Sequence, residues 1–507
     1  MERNTIIAIV LSLVVLVAYQ FFFAKPEPAR KPAAEAPREA APAAPVVPAA
    51  PQAPQPSEAA APARTIRVET DLFIAEISSR GGTLESWRLK EFRDEKTGEP
   101  VSLLQPGGVY PALAVGSGGD FSISNRDFHV TGGDLDLQAA GETGSVVFEY
   151  AGDGYSIRRT YTFRQGTYLF DLRDEVAGLR DYEITLGGYF GIHTFAPDRL
   201  SHTGPVVLSG TDRIEVKAKK LEGAVSYTED LKWIAEEDKY FFSSIVPPKG
   251  LGQARAWKVQ DTAVVALVGE AGAYDMKVYA GPKSLDRLKL LGLGLEHIVD
   301  FGFFSVIARP IFWLLQKFYA LVGNYGWAIV LLTIVVRVPF IPLVNKSQRS
   351  MKKMQQISPK MQEIKEKYKK DPQKMQKEMM ELYKKNKVNP LGGCLPMLLQ
   401  IPVFFALYKV LMISIELRDA PWALWITDLS QKDPFYILPI VMGISMVVQQ
   451  KMTPSAGDPR QQKLMMFMPV IFTFLFLSFP AGLVLYWLVN NLLSIVQQVY
   501  VNRKKEA

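Results

Sequence analysis

Hydrophobic and polar positions alternate with three different periods along the chain. Residues 6–24, IIAIVLSLVVLVAYQFFFA, form an uncharged apolar run. At 1.5 Å per residue such a helix is about 28 Å long, close to the thickness of a bilayer core. Bulky Phe21, Phe22 and Phe23 occupy the positions where a signal peptidase needs small residues, so the run reads as an uncleaved anchor. Residues 65–282 alternate with period two. Ile157, Tyr161 and Phe163 share one parity, Arg158, Thr160, Thr162 and Arg164 the other, and Tyr168, Phe170 and Leu172 repeat the pattern. With Gly152-Asp153-Gly154 and similar turns between runs, this predicts an antiparallel β sandwich. In 284–300, Leu285, Leu288, Leu291, Leu295 and Ile298 recur at helical spacing, predicting one amphipathic helix. Together with 303–320, interrupted at Arg309-Pro310, it is expected to lie in the membrane interface across 283–320. Five more apolar segments, 325–344, 391–413, 434–450, 464–479 and 482–501, have the length of a span. The expected fold is an α-helical polytopic membrane protein with six transmembrane helices and an all-β domain outside the membrane.

Composition adds the connections. Residues 25–64 are mostly Pro and Ala and bury too little to fold, so they read as a disordered tether. The single Cys394 excludes a disulfide framework, and His129, His193, His202 and His297 have no ligand spacing, so neither a metal site nor a cofactor is expected. The net charge of +7 has a direction. The 346–388 loop holds fourteen Lys and Arg against five acids, while the 414–433 loop is acidic. Basic loops stay in the cytoplasm, which places both termini inside and the β domain in the periplasm.

Arg337 lies inside YGWAIVLLTIVVRVPFIPLV, about 12 Å from its inner end. A charge at that depth costs about 2.5–3.5 kcal/mol on insertion scales. Its stem is too short for simple snorkelling, so a wet cavity open to the cytoplasm is expected. Thr333 lies at i−4 on the same face, and Pro339 and Pro342 loosen the helix. Gln400, Asn490, Asn491, Ser494 and Gln497 are candidates to line the cavity; the alternative for each is an ordinary interhelical hydrogen bond. A polar flank of a client chain would pause there, while Met465, Met466 and Met468 offer adaptable apolar contact. In the basic loop, Ser358-Pro359 and Asp371-Pro372 look like two helix starts, giving a mobile amphipathic cytoplasmic hairpin over the cavity mouth; the alternatives are a solvated pair that only fixes topology, or a surface for anionic lipid or ribosomal RNA, and the sequence does not choose among them.

Other classes fit less well. A transporter needs intramembrane carboxylates, and the five later segments hold none. A glycan-processing enzyme needs a carboxylate pair in the β domain and leaves five helices unexplained. No enzymatic activity is expected.

Four stretches resemble the YidC/Oxa/Alb insertase family: TIVVRVPFIPL (333–343), NPLGGCLPMLLQIPVFFALYKVL (389–411), ELRDAPWALWITDLSQKDPFYILPIVMGISM (416–446) and QQKLMMFMPVIFTFLFLSFPAGLVLYWLVNNLLSIVQQ (461–498). The anchor and large β domain are similar to the Gram-negative branch, whose periplasmic domain is a β supersandwich. The resemblance implies a five-helix insertase core over 321–507, around a hydrophilic groove with Arg337 and Thr333. It implies clients sliding along 391–413 and 464–479, where Pro396, Leu399, Phe404, Met468, Phe472 and Phe476 are the expected contacts. Tyr486 and Trp487 occupy the family's aromatic pair, with Trp487 where a second Tyr is usual. The implied partners are nascent membrane proteins, the Sec translocon, membrane lipids, and the ribosome or signal-recognition-particle pathway at the hairpin and tail.

Overall fold

The computed structural model describes residues 63–195, 201–386, 388, 395–453 and 459–503. The expected anchor, most of the tether and the last four residues lie outside the described residues.

Among the described residues, nineteen strands run from Thr65 to Pro282. They form a nine-stranded sheet and two five-stranded sheets, and all recorded strand pairs but one are antiparallel. The period-two pattern explains the layers. Ile157, Tyr161 and Phe163 are buried, and their strand turns at Asp153 (φ 54°) and Gly154 (φ 83°). Positive φ at two successive residues gives the turn whose twist matches a hairpin. Arg159 shares the inward parity and is fully buried. Its Nε donates to Asp174 Oδ1 at 3.0 Å, its Nη1 to Leu113 O at 2.8 Å and Gly82 O at 3.0 Å. The buried ion pair thus ties the nine-stranded sheet to neighbouring loops.

Among the described residues the helices are α1 (Leu285–Leu291), α2 (Ser305–Val322), α3 (Tyr325–Arg337), α4 (Ile341–Lys367), α5 (Pro372–Lys385), α6 (Leu395–Ile413), α7 (Ile437–Met452), α8 (Pro459–Phe476) and α9 (Ala481–Arg503). Three of these differ from the sequence expectation. The single helix expected over 284–300 is broken: α1 ends at Gly292 (φ 66°), and Leu295–Ile298 is a separate 3-10 turn. Glycine adopts the left-handed conformation at little cost, and it ends the helix there. Leu288, Leu295 and Ile298 pack into the β-domain core, and Leu285 packs with the helices, so this leucine face is covered by protein. The segment expected as one span over 325–344 stops at Arg337, and the Val338–Phe340 turn containing Pro339 leads into α4. Ser358-Pro359 starts no helix, because α4 continues through Pro359. The hydrogen bond lost there belongs to the carbonyl of exposed Gln355, which water can satisfy.

Asp371 caps α5 by accepting from Lys374 N at 3.1 Å, with Pro372 in the first turn. The hairpin's apolar stripe is used internally: Met354, Ile357 and Met361 pack with Met379, Leu382 and Val388. Among the described residues, the two stretches long and apolar enough to cross a membrane are Tyr325–Lys367 and Ala481–Val501; Gln400–Ile413, Ile437–Met452 and Met466–Phe476 are shorter apolar helices.

The β domain is fixed to the helices by polar contacts. Arg418 Nη2 donates to Arg93 O at 2.6 Å, with its guanidinium 5.4 Å from the Phe241 ring. Arg287 pairs with Glu91 at 2.9 Å. Asn324 caps α3 through Trp327 N at 3.1 Å and donates to the Trp422 carbonyl at 3.0 Å, anchoring the helix to the 414–433 loop.

Candidate functional site: a polar cavity between α3, α6 and α9

Arg337 ends α3 and is only partly exposed. Its Nη1 donates to Asn490 Oδ1 at 2.5 Å and to Asn490 O at 3.2 Å. Its Nη2 donates to Ser494 Oγ at 2.7 Å and Gln497 Oε1 at 3.3 Å. Residues 490, 494 and 497 share one face of α9 at i, i+4 and i+7, so one helix presents a ladder of acceptors to one cation. All of these acceptors are neutral. A charge-assisted hydrogen bond contributes about 1.5–3 kcal/mol, so several of them offset much of the cost of placing the cation in an apolar helix. Among the described residues the positive charge is solvated without being cancelled.

Asn490 is the junction of the site. Its Oδ1 also accepts from Gln400 Nε2 of α6 at 3.3 Å. The cavity beside it is about 20 Å³ and is lined by Thr333, Arg337, Gln400, Tyr486 and Asn490, with Val336 and Phe340 among its apolar walls. That is room for roughly one water, so the space is a narrow slot in this conformation. Thr333 lines it, but its hydroxyl donates to its own helix, to Ile329 O at 2.6 Å.

Not every expected residue meets here. Asn491 is buried on another face and donates to Ser445 Oγ of α7 at 3.1 Å, the ordinary interhelical bond. Trp487 sits in an aromatic cluster, with ring centroids 4.9 Å from Phe404, 5.1 Å from Phe476 and 6.3 Å from Phe472. Three residues expected to contact a client thus converge on the expected aromatic position. Met468 is exposed, as are Met466 and Phe467 next to it. The side chains of Pro396 and Leu399 lie outside the described residues. Among the described residues no three His, Cys, Asp or Glu side chains gather as a metal site.

Two family models cover most of the chain. That of the 60Kd inner membrane protein matches residues 317–507, and that of the YidC periplasmic domain matches 65–314. The chain is 40% identical over 548 residues to the membrane protein insertase YidC of Geotalea daltonii, covering all of both chains. It is 42% identical over 535 residues to that of Geobacter metallireducens, covering 99% of this chain and 98% of the other. The chain belongs to the YidC membrane protein insertase family. A solved YidC insertase with its first transmembrane domain resolved is similar at 19% identity and TM-score 0.40, over 97% of this chain and 98% of that one.

Within this YidC-family chain, sequence reasoning passed over two features. Arg159 hides on an apolar parity, and only the skipped position within the alternation signals it. The charged cluster joining strand Asp212–Glu215 to α6 is assembled from distant segments, and no local spacing reveals it.

Proposed function

We propose that the chain is a membrane protein insertase and chaperone of the inner membrane, acting alone or beside the Sec translocon on nascent membrane proteins. One observation carries this reading: Arg337, at the end of an apolar helix, is held among the described residues by neutral acceptors alone. A charge that is fixed but not neutralised attracts an acidic flank of a client and gives it a polar resting place. Phe340 of the Val338–Phe340 turn lines the slot, and in this reading the slot opens to the cytoplasm there. The client's apolar part follows α6 and α8, past the cluster of Phe404, Phe472, Phe476 and Trp487 and the exposed Met466–Met468 surface. In this reading six helices cross the membrane, those at 6–24, 325–344, 391–413, 434–450, 464–479 and 482–501. Both termini and the α4–α5 hairpin are cytoplasmic and the strands periplasmic, as the distribution of Lys and Arg supports. The hairpin and tail meet the ribosome or the signal-recognition-particle pathway and anionic lipid.

Arg337→Glu is the direct test. In vesicles reconstituted with the full chain, a client with an acidic translocated flank inserts less well, while a client with a basic flank does not lose yield. Native yields for the acidic client would overturn the reading.

A further inference from the structure

The loop between α6 and α7 carries a charge-free stretch, residues 420–427, flanked by Asp419 and Asp428. Within it a tight turn is closed by two backbone bonds. Trp422 N donates to Ile426 O at 3.0 Å, and Ile426 N donates to Ala423 O at 3.1 Å. At the tip stands Leu424, 88% exposed and with φ at 55°. Each property is unfavourable alone. The left-handed backbone is uncommon for a bulky residue, whereas glycine takes it without strain. A leucine this exposed leaves nearly all of its apolar surface uncovered. Backbone strain persists only where the surroundings impose it, and it is a pointer to function.

Here the surroundings do impose it. Trp422 lies against the first turn of α3, where a Cβ on Gly326 would overlap its ring. Asn324, which caps α3, donates to Pro421 O at 3.1 Å and to Trp422 O at 3.0 Å. On the other side of the tip, Trp425 Nε1 donates to buried Asp433 at 3.0 Å. Leu429 O accepts from Gly482 N at 2.9 Å, in the first turn of α9. The turn is thus fixed to the starts of the two described stretches that are long and apolar enough to cross a membrane.

Leu424 is also not an isolated exposed residue. Trp327, in the first turn of α3, is half-exposed and meets the Trp422 ring edge-on at 5.9 Å. Phe435 and Ile437 are exposed at the start of α7, and Lys432 lies 5.9 Å from the Tyr436 ring. Trp, Tyr and Lys beside apolar side chains at helix ends are the composition of a membrane–water boundary. A bilayer that covers the exposed face of α3 reaches the tip of this turn through Trp327.

We propose that the 421–426 turn is a rigid membrane wedge, which inserts Leu424 into the outer leaflet of the bilayer beside α3. Its partner is lipid, at the level where headgroups meet acyl chains. Because the turn is already fixed, insertion orders little further chain. The placement rests on the topology proposed above, with α3 crossing the membrane and the 414–433 loop outside.

The test is site-directed fluorescence of the full chain in phospholipid vesicles. Cys394, the single cysteine, is replaced by serine, and one new cysteine carries an environment-sensitive label. Ala423→Cys reports on the turn with Leu424 in place. Val225→Cys, exposed on an edge strand of the β domain, is the aqueous reference, and Ile444→Cys, exposed midway along α7, is the bilayer reference. The label at 423 is expected to be shielded from iodide relative to that at 225, and quenched by lipids spin-labelled near the headgroup. Adding Leu424→Asn is expected to abolish the lipid quenching; asparagine tolerates the left-handed backbone, so the turn keeps its shape. An aqueous signal at 423 with a bilayer signal at 444 overturns the wedge and leaves the topology standing. An aqueous signal at both overturns the topology and the wedge with it. Shielding from iodide without lipid quenching assigns the turn to a protein neighbour, and unchanged quenching in Leu424→Asn shows that the leucine does not drive insertion; either result overturns the proposal.

Discussion

Asn490 accepts from Arg337 twice, through its side-chain oxygen at 2.5 Å and its backbone carbonyl at 3.2 Å, and the same side-chain oxygen accepts from Gln400 at 3.3 Å. One neutral amide therefore joins α3, α6 and α9 at the cation. Neutrality is the useful property. A carboxylate of the same shape would keep the geometry and cancel the charge, since two unit charges about 4 Å apart attract by about 4 kcal/mol at an effective dielectric constant near 20.

Asn490→Asp is therefore expected to leave the fold at least as stable while cutting insertion of acidic-flank clients by tenfold or more, about 1.4 kcal/mol. Clients with basic flanks keep their yield. Side-by-side insertion of the two clients into reconstituted vesicles measures this. An equal loss for both would mean that Asn490 has only a structural role.

The parts of this arrangement that were legible in the sequence follow short periods. Alternation at Ile157, Tyr161 and Phe163 marked a strand because neighbouring positions report directly on two faces. Arg337 stood out because a charge in an apolar run has few inexpensive explanations. Asn490 and Ser494 were legible as polar positions in the last helix, but Asn491 was not separable from them. Adjacent residues on a helix differ by about 100°, and only the packed partner decides which one faces the cation. The break at Gly292 was hidden by leucines that keep helical spacing on both sides of it. Leu288 and Leu295 are buried by a β domain folded from distant sequence, which no window of the helix contains. The charged cluster between strand Asp212–Glu215 and α6 was illegible for the same reason.

Arg159 and Asp174 give a prediction for the β domain. Both are fully buried, and Tyr182 donates a further bond to Asp174 Oδ2 at 2.7 Å. Removing one charge leaves its partner uncompensated in an apolar interior, which costs about 3–5 kcal/mol. Asp174→Asn is expected to lower the unfolding free energy of the β domain by that amount, read from the shift of the denaturation midpoint in chemical unfolding followed through its tryptophans. An unchanged midpoint would show that the pair is dispensable.

Trp487 predicts a different kind of loss. Its ring meets Phe404 of α6 and Phe472 and Phe476 of α8, so it is a wedge between the two helices a client is proposed to follow. Trp487→Ala leaves a cavity costing about 3–5 kcal/mol and is expected to lower the melting temperature and to reduce crosslinking of a stalled client to Met468. Trp487→Tyr refills most of the space with an aromatic ring and is expected to restore both. A tyrosine variant as defective as the alanine one would argue against a packing role.

Glu416 supplies the pH dependence. It sits in the short turn Ile415–Leu417 that follows α6, with Oε1 buried and unpartnered. Burial pushes its carboxyl from 4.5 up to about 7, and the nearby Asp286 carboxylate adds to the rise. The folded chain thus binds this proton more tightly than the unfolded chain. Its contribution is fully present below about 4.5, declines as pH rises from there to about 7, and is absent above, a loss of about 3 kcal/mol. Glutamine has nearly the same shape and never ionises. Glu416→Gln is therefore expected to melt with the native chain near the acidic end of that window and several degrees above it at pH near 8. Thermal unfolding of both chains in detergent across the window measures the difference, in which the other titrating groups cancel. A melting-temperature gap that stays constant with pH would mean that the Glu416 carboxyl is not neutral in the folded chain.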